Sequence, residues 1–382
     1  FYVGIDPTAG SLHAGHLVPL YAMAHLAAAG HRAIALVGGG TARIGDPSGK
    51  TEMRKMLSIE QIDENVAAIS RQIEAFLSIK NTGARMVNNA DWLTGLNYIE
   101  FLRDIGRHFS VNRMLSFETY KMRLETGLSF IEFNYQLLQS YDFLELHRVH
   151  GCELQMGGDD QWGNIVAGAD LIRRVTGSES YGLTCPLVTR ADGKKMGKTE
   201  KGALYLDPEL ITPYDFYQYW RNVPDSDVEK FLLLYTFLPV EECRELGRLK
   251  DQEINRGKER LAWELTKIVH GEEEANKAKD AARAAFGVGA GSGAADGDRS
   301  GIPAIELAAS ELAAGVGVLD LFSSTELCSS KGEARRLVQQ GGARINDTKV
   351  EDIEAVIDDS WVEEGELLLR AGKKRYFRVI VT

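Results

Sequence analysis

The sequence predicts an α/β protein: a Rossmann-like parallel sheet first, then an α-helical domain, then a small α+β module. Three observations carry this. Short β-rich runs alternate with helical patterns through the first half, as in Phe1–Asp6, then Leu17–Ala29, then Ala33–Val37. That alternation is the pattern of βαβ units with helices on both faces of a parallel sheet. From about Pro208 to Phe286 the pattern turns helical, opening on the aromatic cluster Tyr214, Phe216, Tyr217, Tyr219 and Trp220. A glycine-rich stretch, Gly287 to Gly301, then has the composition of a flexible linker. The expected boundaries are therefore 1–207, 208–286, a linker over 287–303, and 304–382, the last ending in strand-like Tyr376–Val381.

A chain of 382 residues with 44% hydrophobic composition can bury a large core in two or three domains. Its net charge of -11 repels nucleic acid at long range, so any RNA must meet a local basic face. The four cysteines, Cys152, Cys185, Cys243 and Cys328, lie far apart without a CxxC pair. This argues against a zinc site or a disulfide framework and fits a reducing compartment. No apolar run approaches a membrane span. The chain starts at Phe1 inside a strand-like segment, read here as a trimmed N-terminus that leaves room for a targeting peptide.

The segment Pro7 to His16 joins the first strand to the first helix, the place where parallel sheets bind nucleotides. A helix start offers free N–H groups and a positive dipole end to phosphate. His13 and His16 share one helix face and can both donate to phosphate oxygens, while Gly15 lets a base or ribose approach the backbone. A second segment, Gly193-Lys194-Lys195-Met196-Gly197-Lys198-Thr199, is a lysine loop flanked by glycines. Alone it reads as a solvated basic turn. Paired with the histidine segment about 180 residues upstream, it resembles the Lys-Met-Ser-Lys-Ser signature of class I aminoacyl-tRNA synthetases. Ala14 stands where that family's histidine signature usually has isoleucine, and Gly197 and Thr199 stand where the lysine signature has serines. Mobile cations suit the task, because attack on an α-phosphate builds charge on departing pyrophosphate. The resemblance thus implies roles for His13, His16, Lys195 and Lys198 in activating an amino acid with ATP.

The resemblance narrows to tyrosyl-tRNA synthetase and runs along nearly the whole chain. Four strings carry it: Tyr2 to Thr8, Gly45 to Lys50, Tyr135 to Phe143, and Gln155 to Asn164. Gly45 to Lys50 lacks the spacing of a P-loop. On a strand, Tyr2, Gly4 and Asp6 point to one side. On a helix, Tyr135, Gln139 and Asp142 form one stripe. Two elements can thus aim a phenol, an amide and carboxylates at one point, which suits a substrate with both an ammonium and a phenolic hydroxyl. The resemblance implies that Tyr2 and Asp142 hold the tyrosine hydroxyl, while Asp46, Tyr135 and Gln139 hold its amino group. It further implies that Gly158, Asp160 and Gln161 hold the adenylate ribose and carboxyl region, with Gly4 and Gly15 alongside. Thr8, Asp6, Lys50 and Arg54 match positions that help with ATP and pyrophosphate, and Asn112 is expected to line the pocket.

In the last module, Lys331 and Arg335 share one face of an expected helix beside Arg336, and Ala334, Leu337 and Val338 can pack inward. Gly341-Gly342 should end that helix and Arg344-Ile345-Asn346 begin a strand. This is similar to the RNA-binding tail of bacterial-type tyrosyl-tRNA synthetases. The resemblance implies tyrosine, ATP with substrate-borne magnesium, and tRNA(Tyr) as partners. It also implies an anticodon-arm role for the helical domain and a homodimer meeting near Val111–Phe133. A cytoplasmic bacterial enzyme is the default, an organellar one the alternative. The rivals are a tryptophanyl-tRNA synthetase, disfavoured by the polar Tyr2 and Asp142, a small-molecule adenylyltransferase, and an RNA chaperone or splicing cofactor.

Overall fold

A computed structural model describes residues 1–48, 56–78, 83–191, 193, 196–199, 202–287, 301–372 and 375–382. Two compact units divide the chain: Phe1–Leu210 with Glu229–Cys243, and Ile211–Val228 with Arg244–Thr382.

The first unit is built on a parallel sheet of β1 (Tyr2–Ile5), β2 (Ile34–Val37), β3 (Arg85–Asn88), β4 (Leu154–Gly158) and β5 (Tyr181–Cys185). Their order is β3-β2-β1-β4-β5. All four residues of β2 are buried, as an apolar strand covered on both faces should be. The covering helices include α1 (Ala14–Ala28) and α2 (Ile59–Ser78). The apolar stripe of α2, from Ile62 through Ile69 and Ile73 to Phe76, faces the core. Short helices α3 (Ala90–Leu93), α4 (Tyr98–Asp104), α5 (Val111–Ser116) and α6 (Glu118–Thr126) lead to α7 (Phe130–His150) and α8 (Trp162–Thr176). Ser129 starts α7 with a capping box closed by Glu132. Glu132 is itself buried and takes a forked ion pair from buried Arg123 of α6. Burial pushes its carboxyl up, but the hydrogen bonds from Arg123 and Ser129 outweigh that and hold it below the usual range.

After the hairpin β6 (Lys198–Thr199) and β7 (Gly202–Ala203), the chain leaves the first unit and forms α9 (Pro213–Arg221). It returns as α10 (Val228–Tyr235) and the start of α11 (Val240–Gly247). Residues 229–243, read from sequence as part of the helical domain, thus pack in the first unit. Aromatic contacts hold them there: Tyr21 of α1 lies 4.8 Å from Phe237 and 6.4 Å from Tyr235, ring to ring.

In the second unit α9 packs against α12 (Ile254–His270) and α13 (Glu272–Gly287) around buried Phe216, Trp220, Leu261 and Leu265. Its sheet comprises β8 (Ala304–Leu307), β10 (Ala343–Ile345), β11 (Thr348–Lys349), β13 (Glu366–Ala371) and β14 (Arg375–Val381), in order β11-β10-β13-β14-β8. Between β8 and β10 lie α14 (Ala309–Ala313), β9 (Val316–Gly317), α15 (Val318–Ser323) and α16 (Lys331–Gln339). A separate pair joins β9 to β12 (Val356–Ile357). Ala334 and Val338 of α16 are buried, while Arg335 and Arg336 are exposed. The strand expected to begin with Arg344-Ile345-Asn346 runs one residue earlier, over Ala343–Ile345. Asn346 and Asp347 have φ of 46° and 61° and make the turn between β10 and β11. Asn and Asp are the non-glycine residues that adopt this left-handed backbone most readily.

Candidate active site

The strand order reverses between β1 and β4, and the carboxyl ends of both open onto a cleft of about 560 Å³. Such a switch point is where an open α/β sheet binds its ligand. Tyr2 to Ile5 of β1 and Asp6 just past its end line it, and Tyr135, Gln139 and Asp142 line it from α7. The helical stripe therefore reaches the cleft as the sequence implied, whereas Val3 and Ile5, expected on the other side of the strand, line it too.

At one end, Asp142 is 2% exposed and accepts from Asn89 Nδ2 at 2.9 Å and from Trp92 Nε1 at 2.7 Å. Burial pushes its carboxyl up to about 8, the two donors pull it down, and Asp6 adds to the rise. Tyr2 is 1% exposed, and its hydroxyl has no hydrogen-bond partner among the described residues. Burial, followed by Asp142 and Cys152, raises its phenol well above the usual value.

The same network continues along the cleft. Asn89 Nδ2 also donates to Thr41 Oγ1 at 2.9 Å, and Thr41 donates to Asp6 Oδ1 at 2.7 Å. Tyr135 donates its hydroxyl to Asp6 Oδ2 at 2.8 Å. Gly38 makes room for this carboxylate, because a Cβ there would fall 1.9 Å from Asp6 Oδ1. At the far end Asp46 accepts from the Ser48 N–H at 2.9 Å and from Gln161 Nε2 at 2.7 Å. Asn164 Nδ2 donates to Gln139 Oε1 at 3.0 Å. Gly158 ends β4, and Asp160 and Gln161 follow in a single turn of 3₁₀ helix.

The histidine segment is held by its own cap. His13 is the N-cap of α1; it accepts from the Gly15 N–H through Nδ1, and its own N–H donates to His16 Nδ1, both at 3.1 Å. An accepting ring nitrogen carries no proton, so each neutral imidazole bears its hydrogen on Nε2. Burial, and then His13 beside it, lowers His16 to about 3, so His16 acts as a neutral donor rather than a cation. The loop before α1 is tied to α2 by Gln72, which accepts the Leu12 N–H at 2.8 Å, and by Asn65, which donates to Pro7 O at 3.0 Å. Thr8 and Gly15 are exposed on the cleft.

Not every expected residue reaches the site. Asn112 is exposed on α5 and is not among the residues lining the cleft, so the structure does not bring it into the pocket. Its helix buries only Met114, and Asn112 falls on the outer side. Lys50, Arg54 and Lys195 lie outside the described residues, and of Lys198 only the backbone is described, paired with Ala203. Conversely, the sequence reading missed Thr41, Asn89, Trp92 and Asn164. Thr41 and Asn89 follow the carboxyl ends of β2 and β3, so the rule that singled out the end of β1 would have found them.

A family model described as "tRNA synthetases class I (W and Y)" matches residues 1–287, and one for the "Tyrosine–tRNA ligase SYY-like C-terminal domain" matches residues 295–379. The chain is 58% identical over 381 residues to the tyrosine–tRNA ligase of Treponema denticola, covering 100% of this chain and 91% of that one. It is 55% identical to the tyrosine–tRNA ligase of Clostridium tetani with the same coverage. Among solved structures, a C-terminally truncated mitochondrial tyrosyl-tRNA synthetase of Aspergillus nidulans superposes with a TM-score of 0.65 and 29% identity, over 73% of this chain and 83% of that one. The parallel-sheet cleft, the histidine and lysine segments and these likenesses agree: the chain belongs to the tyrosine–tRNA ligases of the class I aminoacyl-tRNA synthetases.

Proposed function

We propose that the cleft joins tyrosine to ATP as tyrosyl-adenylate, with release of pyrophosphate, and that the tyrosyl group then passes to the 3′ end of tRNA(Tyr). The observation that carries the choice of amino acid is the buried hydroxyl of Tyr2, beside Asp142 and without a hydrogen-bond partner among the described residues. An unsatisfied buried hydroxyl costs about 1–3 kcal/mol. A substrate phenol accepting from Tyr2 and hydrogen-bonded to the Asp142 carboxyl removes that penalty, whereas an indole ring or a benzyl group leaves it. Asn89 and Trp92 aim the Asp142 carboxyl at this position.

Asp46, Tyr135 and Gln139 receive the substrate ammonium, with Asp46 already oriented by Gln161 and Ser48. Nothing need attack the substrate except its own carboxylate, so catalysis rests on position and charge stabilisation. His13 and His16 present Nε2–H donors to phosphate, Thr8, Asp6, Gly4 and Gly15 line the nucleotide side, and Gly158, Asp160 and Gln161 hold the ribose side. Lys195, Lys198, Lys50 and Arg54 neutralise the departing pyrophosphate. Magnesium arrives on ATP, whose phosphates supply its oxygens.

The work divides among a catalytic domain over 1–207 joined by 229–243, a helical domain over the rest of 208–286 that meets the anticodon arm, and an RNA-binding module over 304–382. In that module Arg335 and Arg336 contact phosphates, which positions RNA without reading its sequence. Lys331, bridged to Asp320, flanks them. A homodimer forms through 111–133, a stretch supported by the exposed apolar side chains of Val111, Met122, Leu124 and Phe130. The enzyme works in the cytoplasm; among the described residues no helix is long and apolar enough to cross a membrane. Equilibrium dialysis with labelled tyrosine, phenylalanine and tryptophan tests the amino-acid assignment. Tyrosine should bind and the other two should bind far more weakly; equal binding of phenylalanine would contradict it.

A further inference from the structure

Gly163 is the second residue of α8, and the single turn Asp159–Gln161 runs straight into that helix. Two elements hold it. Its carbonyl accepts from Gln136 Nε2 of α7 at 3.0 Å, and a Cβ built on it would fall 3.0 Å from Cγ of Phe117, the N-cap residue of α6. The residues on either side follow the same arrangement. Thr119 of α6 donates to Asp160 O at 3.4 Å, and Asn164 donates to Gln139 Oε1 of α7 at 3.0 Å. The Gln136 side chain is fully buried, and among the described residues its bond to Gly163 is the one it makes. A carbonyl inside a helix can already accept from the N–H four residues on. The donation from Gln136 is therefore additional, and it serves to place Gly163 rather than to satisfy it. An apolar side chain would fill the same buried position without an amide to desolvate.

We propose that Gln136 and Phe117 are positioning residues for the ribose side of the cleft: by gripping Gly163 they set where Asp160 and Gln161 stand. The grip acts two and three residues from those side chains, along a turn continuous with α8, so a displaced Gly163 carries them with it. A small misplacement of a positioning group is enough to lower a rate. The tyrosine end is insulated, because Tyr2 and Asp142 lie on β1 and α7, and Asp46 keeps its bond from the Ser48 N–H whatever Gln161 does.

The inference rests on the reading that Asp160 and Gln161 hold the ribose, and the test separates the two. Tyrosine-dependent pyrophosphate exchange is measured with ATP, 2′-deoxyATP and 3′-deoxyATP, and tyrosine affinity by equilibrium dialysis. Gln136→Leu removes the donor at nearly constant volume. It should lower kcat/KM for ATP about three- to tenfold, the effect of one hydrogen bond. The deoxy analogue that the wild type uses worst should lose less than about twofold, because it never made the displaced contact, and tyrosine affinity should not change. Gly163→Ala drives a methyl group against the Phe117 ring and should reproduce this pattern in a helix that alanine favours; it carries the same readings if Gln136→Leu folds poorly. A wild-type kcat/KM for ATP, an equal loss with all three nucleotides, or a parallel fall in tyrosine affinity would each overturn the positioning role. A wild type that does not distinguish ATP from either deoxy analogue would instead overturn the assignment of Asp160 and Gln161 to the ribose.

Discussion

Replacing Asp142 by asparagine should make the stability of the first unit less dependent on pH. The carboxyl sits 2% exposed, and burial pushes its pKa from 3.8 up to about 8. The folded protein therefore keeps a proton on Asp142 between those values, while the unfolded chain has released it. Stability falls with rising pH wherever the native state binds more protons, so the wild type loses stability from about pH 4 upward and has lost the full amount above about pH 8. At ~1.4 kcal/mol per unit, that displacement is worth about 6 kcal/mol. Asparagine carries no such proton. It has one oxygen where the carboxyl offered two, so either Asn89 or Trp92 then faces an NH₂ group, a fixed penalty of about 1–3 kcal/mol. The diagnostic is therefore the slope and not the offset. Urea unfolding of both forms between about pH 5 and about pH 9 should show the variant gaining on the wild type with each step and levelling above about pH 8. A difference that stays constant across that range would refute the burial of an ionisable, unneutralised carboxyl at 142.

Three further outcomes follow from the same geometry. Tyr2→Phe should lose roughly 0.5–1.5 kcal/mol of transition-state binding for tyrosine and almost none for phenylalanine; equal losses in steady-state kinetics would show that Tyr2 does not read the hydroxyl. Lys198→Ala should slow adenylate formation by about 2–4 kcal/mol in barrier while leaving tyrosine affinity in place, and a near-wild-type pre-steady-state rate would remove it from the mechanism. Cutting the chain within 287–301 should preserve pyrophosphate exchange, impair tRNA charging and flatten the salt dependence of tRNA binding, because fewer phosphates are neutralised; loss of adenylate formation on cutting would show that the C-terminal module does not act independently of the rest.

Much of the site was legible because it lies where periodicity and topology meet. The strings that carry the resemblance singled out Tyr2, Asp6, Tyr135, Gln139 and Asp142, and the helical spacing of the last three agrees with their meeting in one cleft. What the sequence hid was set by long-range contacts. Asn89 and Trp92 reach Asp142 across 53 and 50 residues of chain, and neither stands in a pattern of its own. The return of residues 229–243 to the first unit depends on Tyr21 meeting Phe237, a pairing that no local periodicity announces. Likewise the pocket role expected of Asn112 came from resemblance alone, and the side of α5 that faces the core is set by Met114.

The central claim is that this cleft selects tyrosine and activates it with ATP. Amino-acid-dependent exchange of pyrophosphate into ATP, run with each of the genetically encoded amino acids in turn, tests it most directly. Exchange should depend on tyrosine, with phenylalanine and tryptophan far below it, because only a phenol satisfies the Tyr2 hydroxyl and the Asp142 carboxyl together. Exchange driven as well by tryptophan or phenylalanine as by tyrosine, or no exchange with any amino acid, would contradict the account.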